Sequence, residues 1–179
     1  MIQQAEDREM IKIDEFMTAD PYTLRENDSL SDARKVMTER HIRHIPITDD
    51  DNHLLGLVTQ RDVLSATALG STQQTRGAPQ KADNDIMLSD IMIRDVSVIH
   101  RTDSLRQAAL YIQSHKYGCL PVLSSNRLVG IITDSDFIDI AINLLEQVEM
   151  KEDEDMMDIE AESEQAIDDI ELPAAEEAI

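Results

Sequence analysis

The stretch that decides the fold is Leu128-Val-Gly-Ile-Ile-Thr-Asp-Ser-Asp-Phe137, an apolar run that ends at Thr133 and passes into a helical pattern. Earlier in the chain, Leu54-Leu-Gly-Leu-Val-Thr-Gln-Arg-Asp-Val63 carries the same order of residue types. Self-similarity of this kind is the sequence signature of a repeated structural unit. The duplicated stretch therefore predicts two copies of one strand-then-helix corner.

The similarity between the copies extends outward from this corner. At one constant offset the chain pairs Met17 with Met92, Ala33 with Ala108, Asp28-Ser-Leu30 with Asp103-Ser-Leu105, and Ile45-Pro46 with Leu120-Pro121. The separation between equivalent residues then falls by one in the turns that begin at Asp49 and Ser124. It keeps this smaller value through the corner. Each copy is therefore a complete unit.

Each unit predicts the order strand, helix, strand, strand, helix. Asp28 or Ser29 is expected to cap the first helix of copy one, because side-chain oxygens of these residue types accept from free N–H groups. Two short β-rich runs follow, and Pro46 and Pro121 are expected at a strand start or an edge. The last helix is predicted from Gln60 to about Ala68 in copy one. Apolar residues at helical spacing define the first helices and the longer last helix of copy two: Leu30, Ala33, Val36, Met37, Leu105, Ala108, Ala109, Ile112, Phe137, Ile138, Ala141, Leu144, Leu145 and Val148.

These patterns divide the chain into repeat 1 at residues 10–69, a flexible linker at 70–85, repeat 2 at 86–147 and an acidic tail at 148–179. The linker has almost no apolar residues. From Glu146 onward the chain carries 15 acidic residues against one basic residue, Lys151. The first interpretation of the tail is disorder with a solubilising effect. The alternative is an acidic and hydrophobic segment that docks onto a basic groove of a partner.

Composition excludes several function classes. A formal net charge of −21 argues against binding to a nucleic acid backbone, which requires an excess of Lys and Arg. The N-terminus lacks the basic and apolar pattern of a secretory signal, and no apolar run approaches the roughly 20 residues that cross a bilayer. We therefore expect a soluble, cytoplasmic protein without a membrane partner. The single cysteine, Cys119, excludes an internal disulfide and is expected to be a buried filler.

The duplicated motif set resembles the CBS (cystathionine β-synthase) domain family, and two copies in tandem resemble a Bateman module. The resemblance implies an α/β (α+β) fold of two pseudo-symmetric β-α-β-β-α repeats packed through their sheets, followed here by the acidic tail. It also implies up to two clefts for adenosine compounds such as AMP, ADP or ATP, with or without Mg²⁺, or S-adenosylmethionine. Such modules usually regulate another protein and commonly form homodimers.

The chemistry of those clefts follows from residue types. Asp62 and Asp136 are the ribose candidates, because a carboxylate accepts hydrogen bonds from both hydroxyls. Thr59 and Thr133 begin helices, where hydroxyl and backbone N–H groups suit a phosphate. Arg61 adds a cation to the first corner, whereas Asp134 adds an anion to the second. Adenine is expected to be held by backbone groups beside Ile45-Pro46 or Leu120-Pro121 and by apolar walls, for which the candidates are Ile47, Val58, Val122 and Ile132.

The family often has a ligand-contacting Thr in its first strand, and Thr23 fits that place, while Val98 occupies it in copy two. These differences predict that phosphate prefers the first corner. A cleft between two repeats draws residues from both, so whole sites are not assigned by copy. His44 belongs to a basic cluster with His41 and Arg43. That cluster either faces phosphate or is a solvated helix end.

A second interpretation of each corner is purely structural. Thr-x-x-Asp before an apolar helix is also a capping-box pattern, and the Thr could serve both purposes. Metal ligation by His41 and His44 or by Asp49-Asp-Asp51 is not favoured. No nucleophile elbow, metal set or glycine-rich phosphate loop is present, so no enzyme activity is expected. The sequence predicts a regulatory nucleotide-binding module, and the alternative is a ligand-free scaffold for protein association.

Overall fold

The computed structural model describes the backbone of residues 11–72 and 83–168 and the side chains of residues 11–68 and 83–151. The strands within this part of the chain are β1 (Thr18–Ala19), β2 (His44–Thr48), β3 (Leu54–Thr59), β4 (Ile99–His100), β5 (Cys119–Ser124) and β6 (Arg127–Thr133). The α-helices are α1 (Leu30–Arg40), α2 (Gln60–Thr72), α3 (Leu88–Ile91), α4 (Leu105–His115) and α5 (Asp134–Asp168). Short 3-10 helices lie at Ile13–Glu15 and Asp83–Asp85. The chain divides after Asp136 into two compact units.

The two repeats exchange their entry segments. One sheet has the order β1-β6-β5-β4, so β1 of repeat 1 lies in the sheet of repeat 2. The other sheet consists of β2 and β3, and isolated bridges join Leu57 to Ile93 and Ile47 to Leu24 at its two sides. Ile93 is the repeat 2 residue that corresponds to Thr18, which pairs with Ile131. Each sheet therefore ends at one side with a segment of the other repeat.

Serine, rather than the preceding aspartate, caps the first helix of each repeat. Ser29 accepts from the backbone N–H of Asp32 at 3.2 Å, and the Asp32 carboxylate accepts from Ser29 N at 3.0 Å. Hydrogen bonds from Ser29 also hold the pKa of Asp32 below its ordinary value. Ser104 and Gln107 form the same capping box in repeat 2. Asp28 instead accepts from Arg25 N at 2.7 Å and closes the turn before the helix.

The predicted stripes of α1 and α4 contribute to the core, whereas the predicted stripe of α5 is largely exposed. Leu30, Ala33 and Met37 of α1 are buried, as are the corresponding residues Leu105, Ala108 and Ile112 of α4. The expected strand-start or edge position fits Pro46, which lies on β2 of the two-stranded sheet, but it is wrong for Pro121, the third residue of β5, which lies between β6 and β4. A further buried cluster joins the repeats and consists of Leu57, Cys119 and Ile131.

The predicted linker is shorter than expected at both of its ends. Helix α2 continues to Thr72, beyond the Ala68 expected from sequence, and Asp83 forms a 2.5 Å ion pair with Arg34 of α1. Residues 73–82 lie outside the described residues, and so do residues 1–10.

The predicted acidic tail begins as a helix. Helix α5 continues without interruption to Asp168, so the expectation of disorder does not hold for residues 149–168. The sequence from Asp134 to Leu172 contains no Gly or Pro and is rich in Glu, Met, Ala and Ile, which favours helix despite the like charges. The remaining tail residues, 169–179, lie outside the described part. No helix in the described residues has the length and apolar character that crossing a membrane requires.

Candidate functional site

The repeated Thr-x-x-Asp corners join β3 to α2 and β6 to α5. In the first corner, the backbone N–H and hydroxyl of Thr59 donate to Asp62 Oδ2 at 2.8 and 2.6 Å, and Asp62 N donates to Thr59 Oγ1 at 3.3 Å. In the second, Thr133 N and Oγ1 donate to Asp136 Oδ2 at 2.6 and 2.9 Å. The predicted capping role is therefore present in both corners.

This capping leaves part of each carboxylate available. All of the hydrogen bonds from Thr59 and Thr133 reach the Oδ2 atoms, and none among the described residues reaches Oδ1 of Asp62 or Asp136. A carboxylate offers about four lone-pair sites on its two oxygens, so one oxygen can close the helix start while the other accepts from a ligand hydroxyl. Capping and ligand binding are compatible at each corner.

The first cavity lies beside the first corner and has a volume of about 590 Å³. Repeat 1 contributes Thr59, Arg61 and Asp62, while repeat 2 contributes Lys116 and Tyr117. Leu57 and Ile93, which are joined by the isolated bridge, also line it. The cavity thus combines a helix start, apolar surface and cations at a size typical of small-molecule sites.

The second cavity lies beside the second corner and has a volume of about 440 Å³. Ile131, Thr133 and Ser135 come from repeat 2, and the entry segment and α1 end of repeat 1 supply the other side. There, the Arg40 guanidinium carbon lies 4.6 Å from the ring centroid of Tyr22. The sequence expectation that a cleft draws residues from both repeats is met in both cavities.

Arg43 and His44 line both cavities. The backbone carbonyl of Arg43 accepts from Gln60 N at 2.8 Å, which ties it to the first corner. Its guanidinium Nη2 lies 3.1 Å from Ser135 Oγ and 3.5 Å from Asp134 Oδ1, which ties it to the second. Arg43 therefore bridges the two corners.

In repeat 2, glycine takes the place of Arg43. Asp134 N donates to the carbonyl of Gly118 at 3.0 Å, just as Gln60 N donates to that of Arg43. A Cβ atom at Gly118 would lie 2.6 Å from His44 Nε2, so the His44 ring fills the space that a side chain would need. Only one of these two equivalent positions carries a cation.

Burial shifts two titratable groups near this junction. Desolvation lowers the pKa of His44, an effect that Arg43 reinforces and that Asp134 and Asp62 oppose. Burial raises the pKa of the Cys119 thiol to about 12, with a smaller contribution from Asp134. At neutral pH, Cys119 is thus a neutral apolar filler, as expected from sequence, and His44 favours its neutral form.

The structure brings together part of the predicted site. His44, Thr59, Arg61, Asp62 and Thr133 line the cavities, whereas Asp136 does not line the second cavity and remains a helix cap there. The residues expected to hold adenine lie elsewhere than these cavities. The four wall candidates and the four residues expected to act through their backbone are all fully buried in the core and line neither cavity: Ile47, Val58, Val122, Ile132, Ile45, Pro46, Leu120 and Pro121.

The walls come instead from the adjacent strand positions. Leu57 lines the first cavity and Ile131 the second, one residue before the predicted Val58 and Ile132. Successive side chains of a strand point to opposite faces, so a one-residue shift exchanges core for cavity. The sequence showed that both stretches are apolar, but it could not show which residues face the cavity, because every position in them is apolar.

The predicted ranking of the two corners stays a prediction, although the charges lie differently from expectation. Asp134, which was counted against the second corner, lines the first cavity and pairs with Arg43. Thr23 lines neither cavity, and Val98 lines a separate depression near Tyr111. Among the residues with described side chains, no group of three or more His, Cys, Asp or Glu could hold a metal ion.

Comparison with curated proteins gives relatives much longer than this chain. It is 33% identical over 124 residues to the uncharacterized protein MJ1225 of Methanocaldococcus jannaschii, which covers 69% of this chain and 40% of that protein. It is 32% identical over 122 residues to a homoserine O-acetyltransferase of Methanocorpusculum labreanum, covering 68% of this chain and 22% of the enzyme. The chain therefore spans less than half the length of either relative.

Solved structures match over most of the described residues. A candidate acetoin utilization protein (AcuB) from Vibrio cholerae has a TM-score of 0.70 and 43% identity, covering 78% of this chain and 98% of that one. The CBS domain pair of MJ0100, in complex with 5′-methylthioadenosine and S-adenosylmethionine, has a TM-score of 0.63 and 24% identity, covering 75% of this chain and 98% of that one. CBSX2 in complex with AMP has a TM-score of 0.61 and 22% identity, covering 75% of this chain and 98% of that one.

The family model for the CBS domain matches the chain twice, at residues 13–68 and 88–143. These matches coincide with the two predicted repeats and confirm the predicted fold of a CBS domain pair, which is a regulatory and generally non-catalytic module. The chain belongs to the CBS domain family.

Proposed function

We propose that this chain is a cytoplasmic, non-catalytic regulatory module that binds an adenosine phosphate, with AMP as the first candidate, and conveys its occupancy to a partner protein. The observation that carries the proposal is the pair of equivalent cavities, each beside a Thr-x-x-Asp corner and each in reach of Arg43. S-adenosylmethionine, ADP and ATP, with or without Mg²⁺, are the further ligand candidates.

The first cavity supplies groups for each part of such a ligand. Asp62 Oδ1 is available to a ribose hydroxyl, and Thr59 with the start of α2 offers hydroxyl and N–H donors to a phosphate. Arg61 and Lys116 place two cations on the same cavity. Leu57 and Ile93 provide apolar surface for a purine. Two structures of this fold hold adenosine compounds, which supports the same ligand class here.

Ligand occupancy would act on a partner through thermodynamic linkage between ligand binding and the arrangement of the protein. A ligand shifts an equilibrium between two arrangements only by its difference in affinity for them. Helix α5 begins at the second corner, with Asp134 as its first residue, so a ligand at that corner contacts the start of a 35-residue helix. We infer that the state of this corner is what a partner would detect through α5.

Thermal and urea unfolding with adenosine compounds tests the binding proposal. A ligand at a hundredfold excess over its dissociation constant should raise the free energy of unfolding by about 2.7 kcal/mol. Asp62→Asn in the first cavity and Thr133→Val in the second should each reduce the gain with AMP, whereas Asp139→Asn, an exposed position on α5, should not. Absence of any gain with AMP, ADP, ATP and S-adenosylmethionine would refute the proposal.

A ligand-free scaffold is the second candidate, and the surface of α5 favours it. Ile138, Ile142 and Leu145 recur at helical spacing and are 59%, 47% and 62% exposed. A helical apolar stripe of this kind is suited to a protein partner or to a second copy in a homodimer. A mass that depends on protein concentration, measured by light scattering, together with no response to adenosine compounds, would support the scaffold.

A further inference from the structure

We infer that Arg43 makes the two cavities compete for phosphate, so that a phosphorylated ligand in one weakens the binding of a phosphorylated ligand in the other. This inference rests on the proposed binding of adenosine phosphates and adds a regulatory property to it. It concerns the charge of the ligand, because the shared group is a guanidinium.

The position of Arg43 is the first step. Its side chain lines both cavities, and its backbone carbonyl accepts from Gln60 N at the start of α2. The strand β2 begins at the next residue, His44, so the backbone of Arg43 is anchored. Only the side chain can turn from one cavity to the other.

The present contacts of the guanidinium are the second step. Nη2 lies 3.1 Å from Ser135 Oγ and 3.5 Å from Asp134 Oδ1, and the side chains of Arg43 and Asp134 are 56% and 47% exposed. Ion pairs of that exposure contribute little, with a median of about 0–1 kcal/mol. A phosphate dianion with fork geometry is a stronger partner for a guanidinium than this carboxylate and hydroxyl. Arg43 is thus available to a phosphate in either cavity.

The third step is that repeat 2 places no cation at the position equivalent to Arg43. The equivalent residue in repeat 2 is Gly118, and the His44 ring occupies the space beside it. The first cavity also has Arg61 and Lys116, and the second also has Arg40. Arg61 and Arg40 line one cavity each, and they serve as matched controls for the shared Arg43.

Isothermal titration with AMP and with adenosine tests the competition. Thr133→Val weakens the second cavity so that the first can be measured, and Asp62→Asn weakens the first so that the second can be measured. The two dissociation constants predict the isotherm of the unmodified protein if the cavities are independent. We expect the second AMP to bind about fivefold or more weakly than this calculation, at the low end of typical coupling energies. Adenosine, which lacks phosphate, should follow the calculation.

The variants locate the effect. The AMP titrations of the unmodified protein and of the two single-cavity variants are repeated with Arg43→Gln added to each. These titrations should agree with independent cavities, while Arg43→Lys should retain the competition. Arg61→Gln and Arg40→Gln should lower affinity in one cavity each and leave the competition in place. Circular dichroism at each titration temperature confirms that every variant is folded.

The inference is overturned if AMP binds the unmodified protein as independent cavities predict, if adenosine shows equal competition, or if competition persists in Arg43→Gln. These outcomes leave the proposed function intact, because AMP still binds. Absence of binding by both AMP and adenosine refutes the proposed function and this inference with it.

Discussion

Leu57 and Ile93 exchange both of their backbone hydrogen bonds, each 2.9 Å long, although they belong to different repeats. This isolated bridge holds the entry segment of repeat 2 against β3. It is the counterpart of the pairing between Thr18 and Ile131 in the other sheet. The residue before Leu57 is Gly56, and its lack of a side chain lets Met92 and Ile93 lie close to β3.

Alanine at Gly56 should destabilise the protein more than alanine at Gly130, its counterpart in repeat 2. A Cβ at Gly56 would lie 2.8 Å from the backbone oxygen of Ile93, which is fixed by the bridge to Leu57. At Gly130 the nearest atoms all belong to the flexible side chain of Met17.

We expect Gly56→Ala to cost about 1–3 kcal/mol and Gly130→Ala less than that, measured by urea unfolding. Replacing Gly also reduces the entropy of the unfolded chain, which offsets about 0.4–1 kcal/mol in both variants. Equal costs, or a greater cost at Gly130, would show that the bridge is not a rigid obstacle.

His44 should make stability fall as the pH decreases below its ordinary pKa. Burial lowers the folded-state pKa of His44 from the ordinary 6.5, so in the window between the two values the unfolded chain binds more protons. The loss of stability caused by protonating His44 is absent above that window and complete below the folded-state pKa. As the pH falls from about 7 through the ordinary pKa of 6.5, the free energy of unfolding should decrease more steeply for the unmodified protein than for His44→Gln. Parallel pH profiles would contradict this assignment.

Cys119 should not react with a thiol reagent in the folded protein. Its side chain is buried, and at pH 8 a thiol with a pKa of about 12 is only about 10⁻⁴ ionised. Ellman's reagent should therefore detect the thiol only after denaturation. Ser65→Cys, at an exposed position of α2, should add one thiol that reacts in the folded state. Rapid modification of Cys119 in the native protein would indicate that the junction between the sheets opens.

The serine caps of α1 and α4 should contribute to stability independently. Ser29→Ala and Ser104→Ala each remove a capping box and should cost about 1 kcal/mol in urea unfolding. The double variant should cost the sum, because the two caps share no hydrogen-bond partner. Ser31→Ala, in the first turn of α1, is the control and should stay within about 0.5 kcal/mol of the unmodified protein.

Local patterns in the sequence were sufficient for the elements and their order. The repeated corner, the apolar residues at helical spacing and the Thr-x-x-Asp caps each depend on a few neighbouring residues, and the structure has all of them. The choice between Asp28 and Ser29 as the cap was left open, because both residue types accept hydrogen bonds from a helix start. The capping box with Asp32 decides it.

Features that depend on how the two repeats pack against each other were harder to predict from the sequence. Every residue from Leu54 to Val58 except Gly56 is a large hydrophobe, so alternation could not show that Leu57 faces a cavity and Val58 the core. Asp134 was assigned to the second corner by its place in sequence, whereas the exchange of entry segments brings it to the first cavity. The charge-based ranking therefore stays a prediction.

The contrast between Arg43 and Gly118 has a consequence for how such a pair is built. Two identical single-repeat subunits related by a two-fold axis would carry either two arginines at this position or none. Joining the repeats in one chain removes that constraint, since each position can differ from its counterpart. A single arginine that lines both clefts is therefore possible in a fused pair, but a symmetric dimer could not carry it at one of these positions alone.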